Sequence, residues 1–248
     1  MKKLIILFLG LAQFSWAQNA FELGNEYYQK ENYSAAINSF ESILTSGKQS
    51  AEVYFNLGNC YYKLHKVAPA IYNFEKALLL NPNDKELQTN LDFARKMAID
   101  DIKVVPKVGF NKLIADFTSA YYYDSWAWIA IAFAFLFLAF FIGYYFSNQT
   151  WLKRGFFGAM FLSILGILIS TSAGFYEKSR TTNEKPAIVF AEITSVKSEP
   201  KLNSSDVVLL HEGAKVFILE SIANWKKVEL TDETTGWIEE SAIKEIKN

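Results

Sequence analysis

The stretch Tyr54–Pro82, YFNLGNCYYKLHKVAPAIYNFEKALLLNP, decides the fold of the N-terminal third of the chain. Shifting the chain against itself by 34 residues places similar residues on one another: Leu23 and Gly24 on Leu57 and Gly58, Tyr27 on Tyr61, Ala36 on Ala70, and Phe40 on Phe74. A period of this length indicates stacked two-helix units, each burying its apolar face against the next. The sequence therefore predicts a helical repeat array.

This repeat resembles the tetratricopeptide repeat (TPR), whose Leu-Gly pair, Tyr, two Ala, Phe and closing Pro all stand in the second copy. The resemblance places repeats at about 21–48 and 51–84 and implies an all-α solenoid. We expect residues 86–98 to form a capping helix, because Asp92 stands where a third repeat needs glycine. Such arrays need about three units for stability. We therefore expect this one to lean on a partner or on the membrane-proximal segment.

The inner face of each first helix repeats asparagines and aromatic residues at the same interval. An asparagine amide can donate to and accept from an extended peptide backbone, and aromatic rings supply apolar pockets. The alternative is that these side chains only pack and satisfy the superhelix. Lysines of the carboxylate-clamping members of the family are missing, so a receptor for chaperone tails is not expected. The predicted peptide-binding residues are Phe21, Asn25, Tyr28, Phe55, Asn56, Asn59, Tyr62, Lys63 and Asn90.

Three apolar stretches indicate export and membrane insertion. Residues 1–17 have the Lys pair, short apolar run and small residues of a cleavable signal peptide. Residues 126–146 and 155–176 contain no charged residue and are long enough to span a bilayer as helices. Small residues that permit close helix contact recur at Ala139, Gly143, Gly166, Ser170 and Gly174, either within this hairpin or at an oligomer seam.

The signal peptide sets the expected orientation, because lysines and arginines on both sides of the second span leave the charge rule undecided. Residues 147–154 would then be a short cytoplasmic loop, with both flanking regions on the periplasmic side of a bacterial inner membrane. The linker 99–125 carries an apolar stripe from Phe110 to Tyr121, typical of an amphipathic helix. That helix would lie on the membrane surface or dock under the capping helix.

After a polar linker at 177–185, residues 186–248 show five short alternating segments, which predict a small β-barrel. Their order and phrases such as LLHEGAKV, NWKKVEL and TGWI resemble the bacterial SH3-type domain. The segment is acidic, with seven lysines against eleven acidic residues. Trp225 and Trp237 are expected in its core, the alternative being a platform for peptidoglycan.

Composition and motifs argue against catalysis and nucleic-acid binding. The formal net charge of −1 provides no overall basic field. His65, His211 and Cys60 stand in no pattern typical of a metal or nucleophile site. We expect no enzyme activity and no cofactor.

The full order of parts, with phrases such as YFNLGNCYYK and DSWAWIAI, is similar to BatE, a family of membrane proteins from aerotolerance (Bat) operons. The resemblance implies a role in stress tolerance or envelope maintenance. It implies work beside membrane-anchored von Willebrand A-domain proteins and a MoxR-type AAA ATPase. On this basis the function expected is that of a non-catalytic membrane scaffold, with a cell-wall sensor as the alternative.

Overall fold

A computed structural model describes residues 19–103 and 109–247 of the chain; the predicted signal peptide lies outside them. The described residues belong to two compact units. One combines parts of Met1–Val105 and Lys185–Asn248, and the other is Pro106–Glu184.

Five helices precede residue 104, and we call them the helical array. They are α1 (residues 19–29 of the described chain), α2 (Tyr33–Thr45), α3 (Ala51–Lys63), α4 (Val67–Leu80) and α5 (Lys85–Arg95). Side-chain oxygens of Asn32, Ser50 and Asp84 accept backbone N–H groups at the starts of α2, α3 and α5. The predicted capping helix thus begins one residue earlier than expected and ends three residues earlier.

The repeated glycines allow the paired helices to approach closely. A Cβ atom on Gly24 would lie 2.6 Å from the Phe40 ring, and one on Gly58 would lie 2.6 Å from the Phe74 ring. Phe40 and Phe74 are fully buried at the centres of their helix pairs. Each Leu-Gly and Phe motif in the sequence therefore corresponds to one packed pair.

The C-terminal part is a seven-stranded antiparallel sheet, which we call the sheet. Its strands run in the order β3-β2-β6-β5-β4-β1-β7, with a short 3-10 helix before β7. The strands are β1 (Pro186–Val189), β2 (Ile193–Lys197), β3 (Asp206–His211), β4 (Lys215–Ile222), β5 (Trp225–Leu230), β6 (Thr235–Glu239) and β7 (Ile243–Glu245).

The prediction of five strands is wrong. The single strand expected at 187–193 is two strands, separated by residues 190–192, and the three-residue β7 has too little alternation to be recognised. Within the described residues the strand ladder runs from β3 to β7 as an open sheet rather than a closed barrel. Trp225 and Trp237 are partly exposed, so the expectation that they lie in the core is also wrong.

The sheet packs against the helical array within the first unit. Ile188 of β1 and Ile246, both 0% exposed, belong to the same buried cluster as Leu87 and Leu91 of α5. In return, Ile102 packs against the sheet's own core. The array thus leans on the C-terminal sheet, which was neither of the two supports that the sequence suggested.

The second unit contains α6 (Phe110–Thr118), α7 (Tyr123–Phe146) and α8 (Thr150–Asn183). Both α7 and α8 are long and apolar enough to cross a membrane. The helices extend beyond the predicted spans, so the expected loop 147–154 shrinks to residues 147–149 and most of the expected linker 177–185 is helical. Charged residues such as Glu177 ended the sequence-based span without ending the helix.

The two long helices pack on one another through small residues. A Cβ atom on Gly143 would lie 2.9 Å from the Phe156 ring, and one on Gly166 would lie 2.8 Å from the Phe133 ring. Ser170 is buried, while Ala139 is exposed. These contacts match the self-packing alternative at the two glycines. Helix α6 contacts α8, and the indole Nε1 of Trp126 donates to the Thr118 carbonyl oxygen at 2.9 Å.

Candidate peptide-binding groove

The predicted asparagines meet in two side-chain pairs, which we call the amide ladder. Asn56 Nδ2 donates to Asn25 Oδ1 at 3.0 Å, and Asn90 Nδ2 donates to Asn59 Oδ1 at 3.0 Å. Both pairs join residues 31 positions apart, so the same contact is made twice, one repeat apart. The ladder links the first helices α1, α3 and α5 along one face of the array.

Pairing uses only part of each amide. An asparagine side chain carries two N–H donors and an oxygen with two lone pairs. The hydrogen bonds of the described residues leave Asn25 Nδ2 and Asn56 Oδ1 without a protein partner, and neither atom is among the buried unsatisfied ones. The same holds for Asn59 Nδ2 and Asn90 Oδ1. Each pair therefore offers one donor and one acceptor toward solvent.

Aromatic residues flank the ladder, each held by a buried neighbour. Phe21 contacts Phe40 edge-on with ring centroids 5.7 Å apart, and Phe55 lies 6.0 Å from Phe74. Tyr28 is partly buried, which raises the pKa of its hydroxyl and keeps it protonated as a donor.

Tyr62 is partly exposed and packs at the margin of the array's core. Lys63 is exposed and ends α3. The predicted site residues therefore share one set of first helices. The asparagine pairing agrees with the packing alternative, and the atoms it leaves open agree with the binding alternative.

Sequence reasoning missed Phe93 of α5. Its side chain is 49% exposed, and it stands 34 residues after Asn59 in the same register as the ladder. The Nζ of Lys96 lies 5.4 Å from the centre of its ring. The period would have identified the position, but the change from asparagine to phenylalanine hid it.

The isolated histidines and the cysteine have structural surroundings. Cys60 is fully buried in α3, and burial raises the pKa of its thiol to about 12. His65 is exposed at the turn after α3, and His211 contacts Asp100. Within residues 19–103 and 109–247, no group of three or more His, Cys, Asp or Glu side chains is arranged to hold a metal ion.

Comparison with protein families agrees with the second copy of the repeat. The tetratricopeptide repeat model matches residues 51–84. The chain contains a tetratricopeptide repeat. This module suggests a scaffold for protein–protein interaction, and its repeats are typically non-catalytic. No curated protein matches the chain.

Proposed function

We propose that this protein is a non-catalytic, membrane-anchored scaffold whose amide ladder holds an extended segment of a partner envelope protein. The observation that carries the proposal is the ladder itself, which repeats one donor and one acceptor per pair beside partly exposed aromatic rings. Unpaired backbone N–H and C=O groups of an extended peptide complement such a row.

Two membrane crossings follow from the chain's path if α7 and α8 insert. The segments before Val105 and after Lys185 pack as one compact unit, and both apolar helices lie between them in sequence. A chain that leaves and rejoins one folded unit must cross a bilayer an even number of times. This supports a multi-pass protein with array and sheet on the same side. The signal peptide makes that side the periplasm of the inner membrane.

Candidate partners come from the BatE resemblance. It favours the membrane-anchored von Willebrand A-domain proteins of Bat operons, acting in stress tolerance or envelope maintenance. An extended tail or linker on such a protein has the chemistry that the ladder accommodates.

Site-specific photocrosslinking in the source bacterium tests the proposal. A benzophenone amino acid replaces Tyr62 in the full chain, and the matched control replaces Asn38, which is exposed on α2. We expect position 62 to crosslink a defined set of envelope proteins through contiguous segments, and position 38 not to do so. Asn59→Ala should reduce the yield because it removes one ladder pair. Identical adducts from both positions, or an unchanged yield in Asn59→Ala, would contradict peptide binding.

A second candidate, peptidoglycan binding by an SH3-type domain, is favoured by the exposure of the two tryptophans. Trp237 stands opposite Lys227 in the β5–β6 pairing, and both side chains are partly exposed. The test is cosedimentation of the full chain, in detergent, with purified cell wall. Pelleting that is lost in Trp237→Ala but kept in Asn59→Ala would assign binding to the sheet.

A further inference from the structure

Helix α5 carries one side of the amide ladder but has no second helix of its own. In a repeat array each first helix packs against the second helix of its unit. Beyond α5, residues 99–103 are not helical. Yet Leu87, Leu91 and Ala94 of α5 are at most 2% exposed. Ile188 and Ile246 of the sheet join their cluster, so the sheet takes part of the role of the missing helix.

A buried carboxylate joins α4, α5 and the sheet. Glu75 of α4 is 8% exposed, and its Oε1 accepts hydrogen bonds from Arg95 of α5 and Lys215 of β4, both at 2.8 Å. Lys215 also reaches Oε2 at 2.8 Å. Burial alone would raise the pKa of Glu75, but these two cations outweigh it and lower the pKa below its ordinary value. The carboxylate is therefore ionised and binds both elements.

A second contact holds the segment that follows α5. The carboxylate of Asp100 accepts the backbone N–H of His211 at 2.6 Å, and its other oxygen lies 2.8 Å from the ring Nδ1. Next to it, Gly213 approaches the array so closely that a Cβ atom would lie 2.9 Å from Val67. Both ends of α5's surroundings are thus tied to the sheet.

We propose that the sheet positions α5, and with it Asn90, so that Lys215 and Asp100 are positioning residues for the groove. They set how well the groove holds an extended partner segment without lining it. The link to binding rests on the proposed function; the positioning of α5 does not. The physical reason is that a short helix of 11 residues is marginal alone and takes its geometry from packing.

Hydrogen exchange of the full chain in nanodiscs tests the positioning. Lys215→Met removes the ammonium from Glu75, Lys215→Arg keeps a cation there, and Lys227→Met is the matched control on β5. We expect Lys215→Met to speed exchange of the α5 amides by at least about five-fold with little change in α2, because α5 opens locally. Lys215→Arg and Lys227→Met should leave α5 close to wild type. Unchanged α5 exchange in Lys215→Met would overturn the proposal.

The link to binding is measured with the benzophenone amino acid at position 62. Crosslinking yield should fall in Lys215→Met and recover in Lys215→Arg, and Asp100→Asn should lower it through the second contact. Faster α5 exchange with an unchanged yield would refute the link and leave the proposed function standing. If even the wild-type chain gives no adduct, the proposed function fails and the link fails with it, while the exchange data still decide the positioning of α5.

Discussion

Replacing Gly213 with alanine should destabilise the first unit through two separable effects. Gly213 has φ of 90°, a left-handed conformation that is unfavourable for alanine. Its added methyl would also lie 2.9 Å from Val67 Cγ1 and 3.1 Å from Ile71 Cδ1. The backbone conformation costs about 1–2 kcal/mol, and overpacking costs about 1–3 kcal/mol. We therefore expect the free energy of unfolding to fall by about 2–5 kcal/mol.

Gly47 supplies the matched control. It has φ of 80°, and a Cβ atom there would meet nothing within 4 Å. Gly47→Ala should therefore incur only the backbone cost of about 1–2 kcal/mol. The assay is pulse proteolysis of the full chain in detergent micelles across a urea gradient. With an m value of about 2 kcal/mol/M, the midpoint should fall by about 1–2.5 M for Gly213→Ala and by about 0.5–1 M for Gly47→Ala.

Equal shifts in the two variants would refute the reasoning. They would mean that the contact between the β3–β4 turn and α4 contributes nothing to stability, and that only the backbone conformation at Gly213 matters.

Three further predictions follow from buried groups. Because the pKa of Glu75 is lowered from 4.5, its ionised form stabilises the fold above that pH, and this contribution is lost as pH falls through the lowered value; thermal midpoints of Glu75→Gln should therefore depend less on pH below about 4.5. Burial of Cys60 should prevent maleimide labelling at pH 8 until urea unfolds the array, and rapid labelling of the native chain would contradict the packing. Gly166→Leu should weaken α7–α8 packing, because its Cβ would lie 2.8 Å from Phe133, whereas Gly158→Leu faces open space; disulfide crosslinking between the helices measures the difference.

The local elements could be predicted from sequence because their signals lie within one repeat or one span. The period of 34 residues located the helix pairs, and the model match to residues 51–84 has the bounds that the period predicts for the second copy. The pairing of the asparagines was only half visible. Their spacing showed a shared face, but it did not show that Asn25 bonds Asn56 or that Asn59 bonds Asn90.

The sequence by itself determined the helical repeats, the two apolar helices and the alternating C-terminal strands, because each depends on patterns of neighbouring residues. Only the tertiary structure decided what completes the array. Glu75 and Lys215 are 140 residues apart, and Asp100 and His211 are 111 apart. No periodicity connects such distant residues, since their meeting depends on burying Ile188 and Ile246 against α5. Long-range packing, rather than local pattern, therefore joins the two ends of the chain into one unit.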